Sequence, residues 1–147
     1  MLDRIGFSER AQFRGPRIAI VTTANPAANA EFTTTIPLGE AWQLLSVTVN
    51  LVETVQTPWP SLTIKDASGT LVFQSQAGTA VRAATNTSQI TWGAGLPQFG
   101  ATADTVIAGN LPENLLLGPG FVIASLTAGI GVNCDYGAAS LLVVKYT

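Results

Sequence analysis

Between Trp42 and Glu53 apolar and polar residues alternate almost without a break. Leu45, Val47, Val49 and Leu51 fall on one side, and Ser46, Thr48 and Asn50 on the other. A repeat of two is that of a β-strand, and it excludes a helix over this stretch. The run is long enough to cross a whole sandwich.

The rest of the chain repeats the pattern in shorter pieces. From Arg17 onward, runs rich in Val, Ile, Thr, Phe and Leu are set off by Gly, Pro, Asn and Asp. Arg17 to Ala24 reads as a first strand, with Ile18 and Ile20 on one face and Ala19 and Val21 on the other; Asn25-Pro26 ends it, because proline cannot donate to a ladder. Phe32 to Ile36 is a second strand. Leu62 to Lys65 and the return through Leu71 and Phe73 form a hairpin around Asp66-Ala67-Ser68-Gly69, with Leu71 and Phe73 facing inward. Gly78 to Thr87 reads as a polar loop and Gln89 to Trp92 as a short strand. Thr105 to Ala108, Leu115 to Leu117, Phe121 to Leu126 and Ala139 to Thr147 complete the series, with Gly118-Pro119-Gly120 as a turn. No long run has a period of 3.6. The expectation is an all-β, jelly-roll-like two-sheet sandwich of about eight to ten strands, spanning 17–147, with residues 1–16 as an extended N-terminal arm. An immunoglobulin-like sandwich is the second choice, since its Cys–Trp–Cys core is missing.

Composition narrows the chemistry. The chain has no histidine and one cysteine, Cys134. That removes the commonest general base and argues against a zinc site, and Cys134 reads as a small buried apolar residue. The acidic residues are scattered singly; a carboxylate pair for glycoside hydrolysis, assembled only by the fold, stays open. No catalytic, cofactor or metal residues are assigned. The expectation is a protein that is not an enzyme and takes no cofactor. Only 11% of residues are charged, against about 25% in an average domain. Arg4, Arg10, Arg14 and Arg17 give the first segment a net positive charge, while the remainder is net acidic. An acidic body is a poor partner for nucleic acid. No stretch approaches the ~18–20 apolar residues of a membrane helix, and no secretory signal is visible.

Three features suggest contacts. Arg4, Phe7, Arg10, Phe13 and Arg14 combine the residue types favoured at protein–protein contacts, so the arm is expected to lie on a neighbouring subunit or a larger assembly. Trp42 and Trp92, at strand ends, read as caps of the core, whereas Trp59, between Pro58 and Pro60, is the candidate for stacking on a sugar. The last strand is apolar on both faces, with Leu141 and Val143 opposing Leu142, Val144 and Tyr146. Such a strand needs cover on both faces, which favours a symmetric homo-oligomer.

The run Phe32-Thr-Thr-Thr-Ile-Pro-Leu-Gly-Glu-Ala-Trp-Gln-Leu-Leu-Ser-Val-Thr-Val-Asn-Leu51 resembles the second and third strands of small jelly-roll virion proteins of tailed bacteriophages. Leu115-Leu-Leu-Gly-Pro-Gly-Phe-Val-Ile123 and Ser140-Leu-Leu-Val-Val-Lys-Tyr146 are similar to their closing strands. The likeness covers residues 30–75 and 111–147 and contains no invariant binding motif; residues 76–110 do not align. It implies a capsid decoration or cement protein, commonly a homotrimer, bound to the major capsid protein or other virion subunits. Its place would then be the capsid surface of a virion, after synthesis in the host cytoplasm. The alternative is a carbohydrate- or receptor-binding module of a tail or fibre.

Overall fold

The computed structural model describes residues 15–53, 59–78, 86–101, 105–127 and 134–147. Among them are eleven strands and no helix. In chain order these are β1 (Arg17–Thr22), β2 (Thr33–Thr35), β3 (Ala41–Glu53), β4 (Pro60–Lys65), β5 (Leu71–Gln76) and β6 (Asn86–Ala94). They are followed by β7 (Val106–Leu111), β8 (Leu116–Leu117), β9 (Val122–Thr127), β10 (Cys134–Tyr136) and β11 (Ser140–Tyr146). The larger sheet runs β1-β11-β3-β6-β7, with β8 and β10 also on β3, and the smaller runs β2-β9-β4-β5. The two pack as a sandwich, and the chain passes repeatedly from one sheet to the other, as in a jelly roll. The count exceeds the expected range by one, and the strand without an expected counterpart is the three-residue β10.

β3 is the axis of the larger sheet. Along one side it pairs with β11 and then β10; along the other it pairs with β8 and then β6. Its alternation is not continuous, however. Leu142 faces Ser46 but Val143 faces Leu44, so Leu45 is an extra residue in the ladder. A bulge of this kind resets the period of two. Trp42 and Leu44 are therefore buried before it, and Val47, Val49 and Leu51 after it, while Leu45 is only half-buried and leaves the core face assigned to it from sequence.

A second bulge corrects the hairpin. The Asp66 turn forms as expected: its Oδ1 accepts the N–H groups of Ser68 and Thr70, both at 2.9 Å, and Gly69 takes a φ of 88°. On the return, Ile64 faces Phe73 and Lys65 faces Leu71, leaving Val72 as the extra residue. Phe73 packs on the core, but Leu71 turns outward and is exposed.

Other expectations shift in extent. β6 is longer than Gln89–Trp92 and includes Asn86 and Thr87, which the sequence places in a loop; residues 79–85 lie outside the described set. β7 runs Val106–Leu111 rather than Thr105–Ala108 and is parallel to β6, with Ile90 facing Ile107 and Trp92 facing Gly109. β10 has no counterpart among the strands expected from the sequence. It forms because Cys134, Asp135 and Tyr136 pair with the far end of β3. The core between the sheets holds Phe32, Leu44, Leu62, Ile64, Ile90, Trp92, Ile107, Ile123, Leu141 and Val143, all fully buried. Cys134 is buried among them, as expected of a small apolar residue.

Candidate functional site

Two tryptophans belong to the core. Trp92 is fully buried and its Nε1 donates to the Ser75 carbonyl at 3.0 Å, tying β6 to β5 across the sandwich. Gly109 lies against it on β7; a Cβ there would collide with the indole and stand 3.0 Å from the Gln76 carbonyl. Trp42 donates from Nε1 to Glu40 at 2.6 Å, and Lys145 sits 3.2 Å from the same carboxylate and 4.9 Å above the Trp42 ring. The indole hydrogen bond first, and then Lys145, hold the Glu40 carboxyl below its ordinary pKa. Trp59 differs from both: just ahead of β4, it keeps 39% of its surface exposed.

One end of the sandwich contains a polar cluster. Glu31 accepts the hydroxyl of Ser125 at 2.5 Å and the N–H of Thr127 at 2.6 Å, while Ser125 Oγ accepts the N–H of Phe32 at 3.0 Å. Thr127 and Tyr136 share a 2.5 Å hydroxyl–hydroxyl contact, and Tyr136 meets Phe32 edge to face at 5.7 Å. Burial raises the Glu31 carboxyl above its usual pKa, against the pull of Ser125 and Thr127. Burial raises the Tyr136 phenol further, with help from the charges of Glu31 and Glu53. The arrangement ties the start of β2 to β9 and β10. Glu31 spends both oxygens on structural donors, and Glu53 is fully buried, so the pair does not present two carboxylates to a cleft. Among the described residues no group of three His, Cys, Asp or Glu side chains is placed to hold a metal ion.

The outer surfaces are more suggestive. On β1, the small residues Ala19 and Val21 pack on the core, and the two isoleucines point away from it. Ile18 is 73% exposed and Ile20 is 72% exposed. They face Val144 and Leu142 of β11, which are half-buried, with Tyr146 beyond them. The result is an apolar stripe along the edge of the larger sheet. The alternation in the sequence does not single it out. Size alone would send isoleucine inward and alanine outward, and only the pairing of β1 with β11 fixes the opposite sense.

Two hollows accompany these surfaces. An open groove of about 450 Å³ lies where the chain enters β1, lined by Gly15, Pro16, Gly39, Glu40, Pro119 and Tyr146 among others. A trough of about 340 Å³ crosses the outer face of the smaller sheet, over Thr63 and Ala124, with Lys65, Leu71, Gln74 and Leu126 along its rim. Trp59 lines neither. Arg4, Phe7, Arg10, Phe13 and Arg14 lie outside the described residues; the groove marks the place from which that segment departs.

No protein-family model and no curated protein matches this sequence. Among solved structures, the chain is similar to one in the structure of infectious bursal disease virus, Gt strain, at 15% identity and a TM-score of 0.25. It is also similar to one in infectious bursal virus-derived T=1 particles, at 14% identity and a TM-score of 0.26. Each alignment takes in 88% of this chain, but only 32% and 38% of the respective viral chains, so this chain spans about a third of their length.

Proposed function

We propose that this chain is a non-enzymatic structural protein of a virion, which binds an assembled capsid and reinforces it. The decoration and cement proteins of tailed bacteriophages are the type intended. The observation that carries the reading is the exposed isoleucine stripe on β1, supported by the trough on the opposite sheet. A weakly charged protein that leaves large aliphatic side chains in water has surface set aside for contact rather than chemistry. The sequence resemblance supplies the virion setting, and the arginines and phenylalanines of residues 1–14 supply an attachment segment. Co-sedimentation with phage heads stripped of their decoration protein tests the proposal. Saturable binding at a fixed ratio is expected, and deleting residues 1–14 should weaken it strongly while leaving the melting temperature close to wild type. Absence of binding to any such head overturns it.

A second reading rests on Trp59. Its partial exposure fits a platform for a sugar ring in a carbohydrate- or receptor-binding module of a tail or fibre. A glycan array separates the two readings: a sugar ligand lost in Trp59→Ala, with little change in stability, favours this one.

A further inference from the structure

The four edges of the two sheets are not treated alike. β2 is only three residues long, and β5 carries the bulge at Val72. β7 is closed by Phe99, which exchanges N–H···O bonds of 3.0 and 2.9 Å with Ala108, and by the Gly78 N–H, which reaches the same residue at 3.1 Å. Short strands, bulges and covering loops are the usual ways of blunting an edge. β1 has none of these. It pairs with β11 in unbroken register over all six residues, and contains neither proline nor lysine.

The direction of its free hydrogen-bonding groups can be read from the ladder. Thr23 donates its N–H to Ala139 on the β11 side. Residues alternate along an antiparallel strand, so Ile18, Ile20 and Thr22 turn their N–H and C=O groups to the open side. No described strand pairs there. The residues with free backbone groups thus include both exposed isoleucines.

We propose that this edge is occupied by β1 of a second copy of the chain, antiparallel, about a two-fold axis at Ile20. In that register Ile20 faces its own symmetry mate and Ile18 faces Thr22, so every outward N–H and C=O of the strand is used. The two larger sheets become one continuous sheet, and four isoleucines close over one another beside Leu142 and Val144. Sliding the register toward the N-terminus would set Pro16, which has no N–H, opposite Thr22. Charge also favours a second copy. No charged residue lies within Ile18–Thr22, and Arg17 falls opposite Thr23, so self-pairing brings no like charges together. The arginine-bearing residues 1–14 would find no acid on the stripe, and the nearby Glu40 is already held by Trp42 and Lys145. An isologous contact of this kind gives pairs, not the trimer implied by the phage resemblance. It deepens the structural reading above but does not depend on binding to a capsid.

Directly opposed residues of a hydrogen-bonded antiparallel pair stand about 5.5 Å apart at Cα, within disulfide reach. The test is therefore the full-length chain with Cys134→Ser and Ile20→Cys, purified and mildly oxidised. A cross-linked species of twice the 15.3 kDa chain mass is expected, forming much faster than with Leu116→Cys, a position of comparable exposure elsewhere on the surface. A mixture of Ile18→Cys and Thr22→Cys chains should cross-link to each other. In sedimentation at micromolar concentration the unmodified chain should associate in pairs, and Ile20→Lys should return it to a monomer of similar melting temperature. Cross-linking no faster at Ile20 than at Leu116, or an oligomer that survives Ile20→Lys, overturns the proposal. So does cross-linking that appears only after residues 1–14 are deleted, since that segment then fills the edge. Because these measurements use the isolated protein, their outcome is separate from that of the capsid-binding test.

Discussion

At one edge of the larger sheet, β7 is stitched to the Phe99 loop and to Gly78, and its Gly109 leaves room for the Trp92 indole beside it. At the other edge, β1 carries isoleucines exposed at more than 70% and an outward row of backbone groups with no described strand beside it. The same sheet therefore ends once against another segment of its own chain and once with no described segment beside it. Burial of hydrogen-bonding groups without partners is costly, so the finished edge serves stability and the unfinished one is available for association. The contrast marks one edge of the fold as a candidate contact surface.

The largest effect that would sharpen this contrast comes from the covered side. Trp92→Ala should destabilise the protein by about 3–5 kcal/mol, the usual loss when a buried aromatic is removed. Urea unfolding followed by circular dichroism checks it, and a loss below about 1 kcal/mol would mean that the β6–β7 edge is not anchored as described. Gly109→Ala should cost about 1–3 kcal/mol, the range for overpacking, because the new methyl has the indole and the Gln76 carbonyl in its way.

The polar cluster predicts a pH response belonging to neither edge, since neither β1 nor β7 carries a carboxylate. Burial raises the Glu31 carboxyl above the ordinary glutamate value that it has in the unfolded chain. Its contribution is therefore fully present below that unfolded value and is lost as pH rises through the higher folded value. Melting curves between neutrality and mildly acidic pH should show a gain in stability from Glu31 on acidification, opposed by Glu40, whose lowered value takes stability away at lower pH. In Glu31→Gln the first contribution should vanish, and an unchanged pH profile would remove Glu31 as its source. The smallest effect is expected on the open edge. Ile18→Thr should change the unfolding free energy of the separated chain by no more than about 0.5 kcal/mol, as for exposed positions away from special contacts.

Much of the fold is legible in the order of the residues alone. The strand Ala41–Glu53, the Asp66 turn and the buried Trp42 and Trp92 follow from alternation, turn chemistry and aromatic burial. What escapes are features that depend on two strands at once. Leu45 and Val72 become extra residues only against the register of β11 and β4; the first leaves the core face itself, and the second turns its neighbour Leu71 outward. The parallel pairing of β7 with β6 is likewise a long-range choice without a local mark. The candidate surface is less legible still. Ile18 and Ile20 alternate with apolar neighbours, so the pattern names a strand but not the face given to water. The arm residues Arg4, Phe7, Arg10, Phe13 and Arg14 lie outside the described residues, and the proposal for them rests on composition.

Amide hydrogen exchange, followed as a function of protein concentration, tests the central contrast most directly. The Ala108 N–H, bonded to Phe99 within the molecule, should be protected equally in dilute and concentrated samples. The N–H groups of Ile18, Ile20 and Thr22 should exchange readily when dilute and become protected as concentration rises and copies pair. Protection of those three that is already complete in dilute monomer, or that never appears in concentrated protein, would contradict an open edge completed by a second chain.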